Sequence, residues 1–97
     1  MATFRYTKRA EQELLNVLAY TEERWGKAQS QRYLDQLAAA LLLLATHKRL
    51  GRNYSKDHPT WRRFEHVSHI IVYSPTVDGI RVHRLVHKGQ LFDRAIR

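Results

Sequence analysis

The stretch that decides the fold is "HIIVYSPTVDGIRVHRLVH", residues 69–87, in which two apolar runs flank a short polar turn. Both runs, 69–74 and 80–87, are rich in β-branched residues, and the Pro, Asp and Gly between them are typical of a turn. A third run, "WRRFE" at 61–65, comes just before them, and we assign the preceding "RNYSKDHPT" at 52–60 to a loop. Three short runs with brief connections predict an antiparallel meander.

Helical periodicity fills the chain before residue 50. Apolar or small residues recur three or four positions apart, as on one face of an α-helix. The first such face holds Ala10, Leu14, Val17, Leu18, Thr21 and Trp25, and the second holds Leu34, Leu37, Ala38, Leu41, Leu44 and Ala45. The pattern predicts helices over roughly 8–25 and 27–49, joined at Gly26 as a hairpin.

Residues at the helix ends support this division. Thr7 is of a type that caps a helix amino terminus, and Lys48 and Arg49 suit the negative end of the second helix. Gly51 is then expected in the left-handed conformation that often follows a helix. A short aromatic run at 3–7, "TFRYT", predicts a first strand.

The order strand, two helices, three strands predicts an α+β fold in one domain spanning 1–97. We expect the helical hairpin to pack on an antiparallel sheet of three to four strands. Six apolar residues of the two helices should form the core: Leu14, Val17, Leu18, Leu37, Leu41 and Leu44. Leu42 and Leu43 extend the second apolar arc, so they are expected either to be buried as well or to form a partner surface.

Alternation along 80–87 places Ile80, Val82, Arg84 and Val86 on one sheet face, and Arg81, His83, Leu85 and His87 on the other. Arg84 therefore shares a face with valines. It either sits at a sheet edge, or emerges on the concave side where a large ligand contacts it, or snorkels with its stem packed. On the second interpretation, Arg84→Ala is expected to abolish activity and leave thermal unfolding nearly intact.

Composition narrows the function classes. The chain has no cysteine, which excludes disulfides and thiolate catalysis and suits a reducing cytoplasm. The longest apolar run is too short for a bilayer, which takes about 20 residues, and the amino terminus lacks the apolar core of an export signal. The net charge of +8 favours a polyanionic or acidic partner.

Candidate chemistry is sparse. His83 and His87 would lie roughly 13 Å apart on one strand, too far to hold one ion, so we predict no metal site, and nothing indicates a cofactor or a small-molecule substrate. Serines stand in no nucleophile motif. A metal-free ribonuclease stays open, with His87 or Glu65 to shuttle protons and Arg63, Arg84 and Lys88 to supply charge; we assign Arg63, Arg84 and His87 as its catalytic set.

Several stretches together resemble one family. They are "YTEERWG", "WGKAQSQRYLDQL", "LATHKRLGR" and the hairpin at 69–87, in that order. Over about 4–93 the chain resembles the ParE toxins of the RelE/ParE superfamily of type II toxin-antitoxin systems. Each motif alone is weak, and their order and spacing carry the resemblance.

The resemblance implies a toxin that inhibits DNA gyrase, stabilises the cleaved gyrase–DNA complex and blocks replication. Its implied partner is a ParD-like antitoxin, for which we assign Leu42, Leu43 and Arg62 as contacts. For the gyrase target we assign five cationic, imidazole or aromatic groups: Arg63, Arg84, His87, Lys88 and Phe92. The tail is expected to fold back and bury Phe92.

The alternative is the RelE branch, which cleaves messenger RNA on the ribosome. Phe92 stands in the tail where a tyrosine hydroxyl would be sought, and a lysine-rich cluster is missing. We therefore expect a toxin that does not cut RNA itself, with the ribonuclease reading kept as the rival.

Overall fold

Seven elements make up the part of the chain that the structure, a computed structural model, describes, which is residues 2–88. In chain order they are β1 (Thr3–Tyr6), α1 (Lys8–Trp25), α2 (Lys27–Thr46), β2 (Arg52–Ser55), β3 (His58–His66), β4 (His69–Pro75) and β5 (Gly79–His87). The predicted helical hairpin and meander are therefore confirmed.

The sheet has the order β1-β5-β4-β3-β2, with a helical hairpin on one face, which confirms the α+β class. Two details differ from the prediction. The sheet has five strands, because Arg52–Ser55 pairs with β3 in the segment predicted as a loop. The sheet is also mixed, because β1 runs parallel to β5, with Phe4 opposite Ile80. The helical hairpin separates β1 from the meander along the chain. In space, β1 pairs with the outer edge of β5, the last strand of the meander.

The predicted caps are partly confirmed. The Thr7 hydroxyl accepts the Ala10 N–H at 3.1 Å and donates to the His83 carbonyl at 3.2 Å, so it caps α1 and ties it to β5. Gly26, the single residue between the helices, has φ +94°, a conformation that glycine adopts without strain.

The prediction for Gly51 was wrong. Helix α2 ends at Thr46, three residues before the predicted end, and Gly51 does not have a positive φ. A Cβ at Gly51 would lie 2.7 Å from both the Arg63 carbonyl and the Tyr73 hydroxyl, so close packing and not backbone conformation requires glycine there.

The core lies between the helices and the sheet. Leu14, Leu37, Leu41 and Leu44 are buried as predicted, against strand residues that include Tyr73. Val17 and Leu18 are half-buried at the margin of this cluster. A second, smaller cluster of Ile70, Val72 and Val86 lies on the other sheet face, under Tyr54 and Trp61.

A β-bulge in β5 overturns the predicted alternation. Val72 pairs with Arg84 and Tyr73 pairs with Val82, so His83 is an extra residue that shifts the register. Val82 before the bulge and Leu85 after it both pack under the helices, although they differ in parity. Within residues 2–88, neither helix has the length and hydropathy to cross a membrane.

Candidate functional site

Arg84 lies on β5 beyond the point where β1 ends, and helix α1 contacts it there. Its Nε and a terminal nitrogen donate to the Glu13 carboxylate at 3.0 and 2.8 Å. The two side chains are only 15% and 21% exposed, so the pair is largely screened from water. Glu13 also accepts the backbone N–H of Leu85 at 2.9 Å. The guanidinium is thus used within the fold: its head neither reaches water, as in the snorkelling interpretation, nor is left as a free cation.

His87 lies in a different place, at the end of the sheet beneath the helical hairpin. His66, His69 and His87 face one another on three adjacent strands, and the Tyr33 hydroxyl lies 3.2 Å from His69 Nδ1. Tyr33, His69, His87 and Trp25 border what we call the histidine cleft, a groove of about 610 Å³. Its further lining residues are Val17, Tyr20, Thr21, Gln29, Val67 and Ser68.

Burial sets the charge of the histidine cleft. Desolvation, with smaller contributions from His87 and His66, lowers the pKa of His69 to about 4. Burial also lowers the pKa of His66 and raises the pKa of Tyr33 to about 12. His69 and Tyr33 are therefore uncharged at neutral pH, and their two rings can share a hydrogen bond.

Arg63 and Lys88 belong to the sheet face turned away from the helices, which we call the open face. Arg63 pairs in register with Val72 of the smaller cluster, and its Nε is buried without a hydrogen-bond acceptor among the described residues. Lys88 lies 3.0 Å from the Glu65 carboxylate, which Arg52 also approaches at 3.3 Å. The pKa of Glu65 is lowered, and the main causes are the hydrogen bond from Lys88 and the charge of Lys88.

Aromatic rings occupy the middle of the open face. The Trp61 ring stacks between His58 and His83, with centroid distances of 3.8 and 4.1 Å and planes within 15° of parallel. His83 Nε2 also lies 2.8 Å from the Ser74 hydroxyl. Because of the bulge, His83 and His87, predicted to share one strand face, lie on the open face and in the histidine cleft respectively.

The structure does not bring the three ribonuclease candidates together. Arg63 is on the open face, Arg84 is bound to Glu13, and His87 borders the histidine cleft. Among residues 2–88, no group of three His, Asp or Glu side chains is placed to hold a metal ion. Phe92, the remaining target candidate, and the tail prediction built on it lie outside the described residues.

The three candidate antitoxin contacts differ in their surroundings. Leu42 and Leu43 are 48% and 45% exposed, so the expectation that they are buried within the chain was wrong and the partner-surface alternative remains. Arg62 donates to the carbonyls of Gly51 and Arg49 at 2.8 and 3.1 Å, so it fixes the turn after α2.

Sequence reasoning missed Glu13, Tyr33 and the ring stack around Trp61. Glu13 lies on a helix, where no spacing indicates a partner on β5, and the switch of parity at the bulge is what turns β5 toward it. Tyr33 lies four positions before Leu37 on the same face of α2. This helical spacing predicts that Tyr33 is buried as well.

Comparison with known proteins agrees with this architecture. The family model described as the ParE toxin of the type II toxin-antitoxin system parDE matches residues 4–92. Toxin ParE1 of Caulobacter vibrioides is 30% identical over 91 residues, covering 92% of each chain. Toxin ParE1 of Mycobacterium tuberculosis is 35% identical over 75 residues, covering 76% of each.

A solved structure has the same fold. It is described as the chromosomal ParDE TA system from P. aeruginosa and superposes with a TM-score of 0.71 over 90% of this chain and 96% of that chain, at 15% identity. The fold is thus shared far beyond recognisable sequence similarity. With the family match over nearly its whole length, this chain belongs to the ParE toxin family of type II toxin-antitoxin systems.

Proposed function

We infer that this chain inhibits DNA gyrase by stabilising the cleaved gyrase–DNA complex, and that a ParD-like antitoxin neutralises it in the cytoplasm. The observation that carries the proposal is the family match over 4–92, together with relatives named as ParE toxins that align over most of both chains. A likeness of fold alone would not distinguish targets, because one fold supports several activities.

The antitoxin contact is proposed at the exposed leucines of α2. Leu42 and Leu43 are adjacent, about half exposed and hydrophobic, which is the composition of an interface centre. Charge supports an acidic partner, since residues 51–97 hold nine basic and four acidic side chains. We keep Arg62 among the proposed antitoxin residues because it fixes the turn directly after α2.

The target contact is proposed on the sheet and at its end. Arg63 and Lys88 supply charge from the open face, and His87 supplies a ring at the histidine cleft. Arg84 contributes by holding β5 against α1, and Phe92 completes the set from the tail. No cofactor and no small-molecule substrate enter the proposal.

The ribonuclease alternative has less support. General acid–base cleavage requires a proton donor and a proton acceptor within hydrogen-bond reach of one phosphodiester. Arg63 lies on the open face, away from His87 in the histidine cleft, and the Arg84 guanidinium is bound to Glu13, so the three do not surround one such group. The proposed activity therefore needs contacts with gyrase and no chemistry by the toxin itself.

Expression of the chain in cells, with and without its antitoxin, tests the proposal. The expected result is growth arrest with DNA breaks and halted DNA synthesis, while protein synthesis continues at first, and relief by the antitoxin. Immediate loss of protein synthesis with intact chromosomal DNA would instead support the ribonuclease alternative. Leu42→Ser with Leu43→Ser, which should lose antitoxin relief and keep growth arrest, separates the two proposed surfaces.

A further inference from the structure

The open face presents a concentration of positive charge. Its cations come from four strands and from the residue after β5: Arg5, Arg52, Arg63, Arg81 and Lys88. Register places them there, because Arg81 pairs with Ser74 and with Arg5, while Arg63 pairs with Val72 and Arg52. Arg5 and Arg81 are exposed, and the Arg52 side chain is 74% exposed.

The helix layer does not share this charge. Residues 8–46 hold five basic and five acidic side chains and are neutral as a group. The field of the protein is therefore directed to the sheet side, and a polyanion approaching the molecule is attracted to that side. Glu65 offsets part of the charge at one end of the face, where Arg52 and Lys88 contact it.

Flat rings lie between the cationic groups. The stack of His58, Trp61 and His83 runs across the middle of the open face, and His58 at its outer end is exposed. Burial, the main cause, and the nearby Arg81 lower the pKa of His83, so this ring is neutral at pH 7. Proteins that bind single nucleic-acid strands combine cations along the backbone with rings on which bases stack.

The dimensions fit a strand of nucleic acid. Five strands at a spacing of about 4.8 Å make the face roughly 19 Å wide, enough for about five nucleotides at 3.4 Å per nucleotide. Arginine also matches phosphate geometry, because its planar guanidinium donates two parallel hydrogen bonds.

We propose that the open face is a nucleic-acid-binding surface that holds the phosphates of one strand between Arg5, Arg81 and Arg63, beside the ring stack. This rests on the proposed function, in which the toxin acts on an enzyme that carries cleaved DNA. An acidic peptide would satisfy the cations equally, but it would make no use of parallel rings, so the stack favours nucleic acid.

The test measures binding by the purified protein without gyrase. Fluorescently labelled single-stranded DNA, duplex DNA and RNA of equal length are titrated at about 50 and about 200 mM salt, and anisotropy gives Kd. Arg5→Ala with Arg81→Ala removes two proposed phosphate contacts. Arg9→Ala with Lys27→Ala removes two exposed helix cations and serves as the matched control.

Each lost phosphate contact should lower the slope of log K against log salt by about one. The Arg5/Arg81 variant should therefore bind more weakly than wild type at low salt. Between the two salt concentrations, the fold-increase in its Kd should be about ten times smaller than that of the wild type. The helix control should follow the wild type. The nucleic acid bound most tightly identifies the source of the strand.

Fluorescence locates the contact. Trp25 borders the histidine cleft and Trp61 lies on the open face, so in a Trp25→Phe variant the emission reports the open face. Trp61 emission should change over the same concentrations as the anisotropy. Absence of binding at low salt, equal losses in both double variants, or equally tight binding of poly-glutamate with the same Arg5/Arg81 dependence would overturn the proposal. Since gyrase is not present, none of these outcomes decides whether the protein inhibits gyrase.

Discussion

Glu13 on α1 holds Arg84 on β5 by three hydrogen bonds, of 3.2, 3.0 and 2.8 Å. The same carboxylate accepts the N–H of Leu85 at a point on β5 where β1 has already ended, since the last β1 residue, Tyr6, pairs with Val82. One side chain thus neutralises a half-buried cation and satisfies a strand edge. The contact links the helix layer to the bulged strand that separates the open face from the histidine cleft.

Arg84→Ala is expected to destabilise the fold, contrary to the expectation from sequence. Removing the guanidinium leaves a largely buried carboxylate without its charged partner, which should cost about 2 kcal/mol. Urea unfolding should show a lower midpoint. The control is Arg81→Ala on the same strand, which is exposed and should change stability by less than about 0.5 kcal/mol. Equal midpoints for Arg84→Ala and wild type would contradict the structural role.

Tyr73→Phe should be destabilising although it removes one oxygen atom. The buried Tyr73 hydroxyl donates to the Lys48 carbonyl and accepts the Gly51 N–H, both at 2.9 Å. Phenylalanine leaves these two backbone groups without a partner in a closely packed site, at a cost of about 1–3 kcal/mol. Tyr20→Phe is the matched control, because Tyr20 is 59% exposed. Equal unfolding free energies for the two variants would refute this account of the turn.

Stability should fall as the pH decreases from about 6.5 towards 4. Folded His69 has its pKa lowered from 6.5 to about 4, whereas His69 of the unfolded chain keeps its ordinary value. Below pH 6.5 the unfolded chain therefore binds a proton that the folded chain does not, and unfolding becomes more favourable. Above pH 6.5 His69 is neutral in both the folded and the unfolded chain, so its contribution to the free energy of unfolding is fully present.

Histidine substitution isolates this effect from carboxylate titration. The difference in unfolding free energy between wild type and His69→Gln should shrink between pH 6.5 and 4 and stay constant above pH 7. A difference for His69→Gln that does not depend on pH would show that burial of this imidazole does not control stability.

Leu42→Ser with Leu43→Ser should leave the fold nearly unchanged and weaken antitoxin binding. Both side chains are about half exposed, so little core contact is lost, while an interface centre loses at least about 1 kcal/mol per residue. Calorimetry with the antitoxin should show at least about tenfold weaker binding. Leu15→Ser, at a leucine 53% exposed on α1, serves as control. If that control weakens binding as much, the proposed α2 surface is not the antitoxin site.

The meander and hairpin could be predicted because their apolar periodicities are strong and their turns carry Pro, Asp or Gly. Strand β2 could not, since it is a polar edge strand, and edge residues that face water follow no apolar alternation. The parallel pairing of β1 depends on where the chain returns after two helices. Four residues of sequence contain no information on that partner.

The candidate site was less predictable because one bulge controls it. Strict alternation assigns Arg84, Val82 and Val86 to one face, and the extra residue at His83 changes the assignment for everything after it. The Trp61 stack likewise joins residues from two strands, which no spacing within one strand reveals. Composition gave the excess of positive charge, and the register of the strands decided which face carries it.

The most direct test of the central claim is a cleavage assay with purified gyrase, supercoiled DNA and ATP, stopped with detergent and protease. The account predicts that the toxin causes linear DNA to accumulate in proportion to its concentration, and that prior addition of the antitoxin prevents this. The same preparation should leave messenger RNA on programmed ribosomes uncut. Unchanged DNA topology at saturating toxin, with cuts at defined codon positions in the ribosome reaction, would contradict the claim.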